Sequence, residues 1–124
     1  MYICASTKST VNNDGNIDLA VTNFASNNVS ILTGNGDGTF DPPVNYAVGV
    51  SAQGPRAVVA AELNGAGLID LAVANEWGDS VAVLINNDDG TFPTYVLYSL
   101  GVDATPYAIF AADFNAGTGN DLVI

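Results

Sequence analysis

The chain has 124 residues, 48% of them hydrophobic and 12% charged, a composition of one globular domain rather than of disorder. Its net charge is −11, with Lys8 and Arg56 as its basic residues, so it repels phosphate backbones and anionic membrane surfaces and excludes a nucleic-acid partner. It has no His and one Cys, Cys4, which removes the commonest general base, the commonest zinc ligand and any internal disulfide framework.

Residues 1–9 lack a basic stretch followed by a long apolar core, so they do not read as a signal peptide. They read as a degenerate first strand. An Asn/Asp/Gly loop follows, then short apolar runs at Leu19–Val21 and Val29–Leu32. The turn Asp37-Gly-Thr-Phe40 leads into Val44–Val48. The same order returns as Val58–Ala61, a polar loop, Leu71–Ala74, Val81–Ile85, Asp89-Gly-Thr-Phe92 and Val96–Leu100. It begins once more with Ala108–Ala112, a polar loop and Asp121–Ile124. None of these runs is long enough for a membrane span.

The order is a repeat with one period. Ile17-Asp-Leu-Ala-Val21, Ile69-Asp-Leu-Ala-Val73 and Asn120-Asp-Leu-Val-Ile124 place their Asp residues 52 and then 51 positions apart. The two Asp-Gly-Thr-Phe turns are also 52 apart. The Gly after Asp supplies the positive φ of a tight hairpin. Apolar runs without polar alternation predict sheets covered on both faces. Four short strands in each period predict an all-β fold, a partial β-propeller of four-stranded antiparallel blades. The expected divisions are 1–9 for the degenerate strand, 10–53 for the first blade, 54–104 for the second and 105–124 for a truncated third.

Asn12-Asn-Asp-Gly-Asn-Ile-Asp-Leu-Ala-Val21, Asn28-Val-Ser-Ile-Leu32 and Gly34-Asn-Gly-Asp-Gly-Thr-Phe40 together resemble the FG-GAP/VCBS-type repeat. Such repeats form the blades of integrin-α-like propellers and of many secreted bacterial proteins. The resemblance implies a recognition or adhesion scaffold, outside the cell or on its surface, with a protein or glycan as ligand. Nearly all the acidic residues sit in the repeated loops or turns, and no nucleophile elbow, phosphate loop or catalytic Ser/Cys context appears, so no enzymatic role is expected. The alternatives are a structural segment beside a catalytic domain that is missing here, and a lectin-like propeller.

The resemblance also implies calcium in the loop between the first two strands of a blade. Side chains at loop positions one, three, five and nine and a carbonyl at position seven would hold it. The first loop offers Asn12, Asp14, Asn16 and Asp18, with Thr10 in place of the leading Asp. The second offers Glu62, Asn64 and Asp70, with Ala66 at the central position. The third offers Asp113, Asn115 and Asp121, with Gly117 there. Calcium takes six to eight oxygens, so these thinned sets predict weak binding, roughly 10⁻⁴–10⁻³ M, or none. The other reading is Asx-type turns, in which the same side chains bind nearby backbone N–H groups.

Trp77 and Glu76 form a candidate ligand site. A Trp in a bend can stack on a sugar while the Glu accepts a hydroxyl hydrogen bond, or it can pack on the next blade. Phe40 and Phe92 are expected in the core or between blades. Asn28-Val-Ser30 matches a glycosylation sequon. At 52 residues per blade, 124 residues give about 2.4 blades, fewer than a closed ring needs. Further blades from a longer chain, or from self-association, are therefore expected.

Overall fold

The computed structural model describes residues 10–51 and 53–124. The expected degenerate strand at 1–9, with Cys4 and Lys8, lies outside the described residues. The fold is all-β, and the described residues contain no helix. In particular, they hold no helix long and apolar enough to cross a membrane.

Among the described residues, the first sheet has three strands, β1 (Leu19–Asn23), β2 (Asn28–Leu32) and β3 (Val44–Ala47). The second has four, β4 (Pro55–Ala61), β5 (Asp70–Asn75), β6 (Ser80–Leu84) and β7 (Tyr95–Ser99). The third has two, β8 (Phe110–Ala112) and β9 (Asp121–Val123). Within each sheet the strands run in chain order, and every pairing is antiparallel. The predicted runs all fall on these strands. Their ends differ by a few residues: Ile85, Val48 and Leu100 fall just outside, and β8 begins at Phe110.

Strand β5 shows why the sequence folds this way. All six of its residues are buried. Successive side chains on a strand point to opposite faces. Leu71 and Val73 join a cluster with Val11, Val29, Ile31 and Val48 of the first repeat. Ala72 and Ala74 join a second cluster with Ala57, Val81 and Ile109, flanked by Leu63 and Leu122. An apolar run without polar alternation is thus a strand with a sheet on either side. The result is a partial β-propeller: sheets stacked face to face, with β4 against β1 on one side and β8 on the other.

The two Asp-Gly-Thr-Phe turns share one construction. The Asp37 carboxylate accepts the Thr39 N–H at 2.9 Å and its hydroxyl at 2.6 Å. Asp89 does the same for Thr91. Gly38 and Gly90 take φ of +93° and +81°, where a side chain would be strained. The aromatic residues that follow differ in setting. Phe92 is 2% exposed and meets the Tyr46 ring edge-on at 5.5 Å. Phe40 is 39% exposed, because no described sheet covers its side of the stack.

Candidate functional site

Each polar loop folds around its own side chains. In the first, Asn12 Oδ1 accepts the Asp14 N–H at 3.2 Å, and Asp14 Oδ1 accepts the Asn16 N–H at 2.7 Å. Asn12 Nδ2 also donates to Asp14 Oδ2 at 3.0 Å. These bonds, led by the Asn16 amide, hold the exposed Asp14 carboxyl below its ordinary value. In the second loop, Glu62 Oε1 accepts the N–H groups of Asn64 and Gly65. Asn64 Oδ1 accepts the Ala66 N–H at 2.9 Å. In the third, Asp113 Oδ1 accepts from Asn115 and Gly117, and Asn115 Oδ1 also accepts from Gly117 at 2.8 Å.

The last Asp of each loop does something different. Asp18 Oδ2 accepts the Val11 N–H at 2.8 Å, and its Oδ1 accepts the Gly34 N–H at 2.9 Å. Asp70 repeats this with Leu63 at 3.1 Å and Asn86 at 2.9 Å. Asp121 accepts the Phe114 N–H at 2.9 Å. Asp18 is 3% exposed and Asp70 fully buried. The carboxylate therefore clasps the start of its loop, and in the first two repeats it also clasps the strand end that leads into the hairpin turn. Sequence reasoning gave these residues a ligand role or a local Asx-type turn, not a bond to an amide seven or sixteen residues away. The signal for a clasp was their fixed place at the head of a strand.

Of the side chains expected to hold a cation, Asn12, Asn16 and Glu62 are half-buried, and Asp14, Asn64, Asp113 and Asn115 are exposed. A carboxylate oxygen keeps a second lone pair after accepting one hydrogen bond. Each loop carries two acidic side chains. No three His, Cys, Asp or Glu side chains converge among the described residues.

At the opposite end of the strands lies an aromatic surface built from neighbouring repeats. Trp77 is 62% exposed, and its ring meets Phe24 edge-on with centroids 4.5 Å apart. The bend that carries it is pinned to the preceding segment. Gln53 O accepts the N–H groups of Trp77 and Gly78, and Gly54 O accepts that of Glu76. Gly54 has φ +58°, and a Cβ there would lie 3.0 Å from the Phe24 ring and 3.1 Å from the Trp77 ring. Only a glycine lets both rings close over this point.

Beside Trp77, Glu76 Oε2 forms an ion pair with Arg56 Nη1. The Arg56 guanidinium also lies 3.9 Å from the Tyr107 ring centroid. Glu76 is thus engaged within the protein, and Tyr107 joins the site without having been expected there. The sequon residue Asn28 starts β2 and accepts a hydrogen bond from Asn23 at 2.7 Å.

No curated protein matches the chain. The model of the FG-GAP-like repeat family matches residues 11–73 and again 62–122. Those two spans overlap on the second repeat and hold the clasping Asp residues of all three loops. The chain belongs to the FG-GAP-like repeat family.

Proposed function

We propose that the chain is a recognition and adhesion scaffold that works outside the cell or on its surface. The observation that carries this reading is Trp77, largely in solvent yet fixed by Phe24, Gly54 and the three backbone hydrogen bonds that pin its bend. An exposed aromatic group that is already immobilised offers contact area at little further entropic cost. The role is non-catalytic: nearly all the acidic side chains of the loops and turns accept hydrogen bonds that shape the backbone. Weak calcium binding in the surface loops belongs to the same reading, and further blades complete the stack.

The test is a binding screen of the whole chain against extracellular matrix proteins and a glycan array. Saturable binding that is lost in Trp77→Ala, with the fold intact by circular dichroism, is the expected result. Binding that ignores this substitution would move the contact surface elsewhere. A response confined to glycans would make the protein a lectin.

A further inference from the structure

Arg56 shows how this end of the molecule holds a guanidinium. A carboxylate, Glu76, pairs with its edge, and an aromatic face, Tyr107, covers it at 3.9 Å. The two groups come from neighbouring repeats. Trp77 is the next residue after Glu76, and its indole is 62% exposed. Trp offers the strongest cation–π face among the side chains. The local charge around it is negative: Arg56, the basic residue among those described, is neutralised by Glu76, while Asp79 and Asp103, joined through an Asp103 N–H to Asp79 hydrogen bond beside the bend, have no basic partner among the described residues.

Two ligand chemistries suit an exposed Trp: a saccharide and a cation. A saccharide needs polar groups that converge on its hydroxyls. Here the polar groups near Trp77 are turned to the fold. Glu76 holds Arg56, Gln53 Oε1 accepts the Ser80 hydroxyl at 3.2 Å, and Asp79 accepts the N–H groups of Asp103 and Thr105. A cation needs only the ring face and the field. We propose that Trp77 receives an arginine or lysine side chain from a basic segment of a partner protein. This rests on the reading of the Trp77 end as the recognition surface.

The test uses the full chain and a tetra-arginine peptide as probe. Trp77 is the single Trp, so its fluorescence reports the site directly. The expected result is a saturable change at low ionic strength that weakens at about 0.15 M salt. By calorimetry Trp77→Ala binds roughly two- to thirtyfold more weakly, with Trp77→Phe between it and the parent. Circular dichroism checks that both variants fold. Equal affinity for the parent and Trp77→Ala would overturn the proposal, because attraction to net charge alone would explain it. A saccharide panel that changes the emission where the peptide does not would overturn the cation chemistry and leave the recognition reading standing. Silence toward both classes would overturn the proposal and remove the support that Trp77 gives to recognition.

Discussion

Asp70 and Asn86, sixteen residues apart, are joined by a 2.9 Å hydrogen bond from the Asn86 N–H to a fully buried carboxylate. The other oxygen of that carboxylate takes the Leu63 N–H at 3.1 Å. One side chain thus fixes both the loop before β5 and the strand end after β6. Removing it leaves two backbone donors without their partner. A buried donor left unpaired costs about 1–3 kcal/mol. Asp70→Ala is therefore expected to lose about 2–5 kcal/mol, read as a lower urea midpoint at unchanged slope. Asp121→Ala, at the more exposed third loop, is expected to lose much less.

Acid acts on the hairpin turns in a definite direction. The Thr39 hydroxyl and N–H hold the Asp37 carboxyl below its ordinary 3.8, and Thr91 does the same for Asp89. A depressed folded-state pKa means that the ionised form is favoured by folding. The stability it adds is fully present above the unfolded value and is lost as pH falls through the lower folded values. NMR titration of the two carboxyl carbons should give midpoints below 3.8. Asp37→Ala and Asp89→Ala should flatten the loss of melting temperature between about pH 4 and pH 2.

The same residue type stands at equivalent positions in two settings. Phe92 is 2% exposed against Tyr46, whereas Phe40 is 39% exposed. Phe92→Ala opens a cavity between two sheets and is expected to cost about 3–5 kcal/mol. Phe40→Ala is expected to cost at most about 1.5 kcal/mol. Equilibrium denaturation of the two variants side by side checks the difference. Equal losses would mean that Phe40 is covered in solution.

Calcium is tested by melting the chain in EDTA and then in calcium at matched ionic strength. A ligand that binds only the folded state stabilises it by about 1.4 kcal/mol at roughly ten times its dissociation constant. A clear rise with calcium and none with magnesium is the expected outcome. A melt indifferent to both ions leaves the loops as Asx-type turns, which the hydrogen bonds of Asn12, Asp14, Asn64 and Asn115 already describe.

The fold was legible because the period is written into the chain more than once. Asp18, Asp70 and Asp121 mark the loops, and Phe40 and Phe92 mark the hairpins. Runs such as Leu71–Ala74 then place strands between two covering layers. The clasp was not legible. A carboxylate aimed at an amide seven or sixteen residues away has the same sequence as one aimed at a cation. Nor were the pairs Phe24–Trp77 and Arg56–Tyr107 apparent, since neither pair repeats a residue type from one blade to the next. Yet their separations are 53 and 51 residues, close to one period. In a stacked repeat, residues about one period apart become neighbours across the sheets, and that rule would have found both.

Strand β5 turns Leu71 and Val73 to one neighbouring sheet and Ala72 and Ala74 to the other. It is a party wall between two rooms. A larger side chain on the alanine side pushes against the third sheet, and the shared backbone carries that push into the first. Compensation in one layer therefore cannot repair a change in the wall. Among the described strands, β5 alone is buried along its whole length.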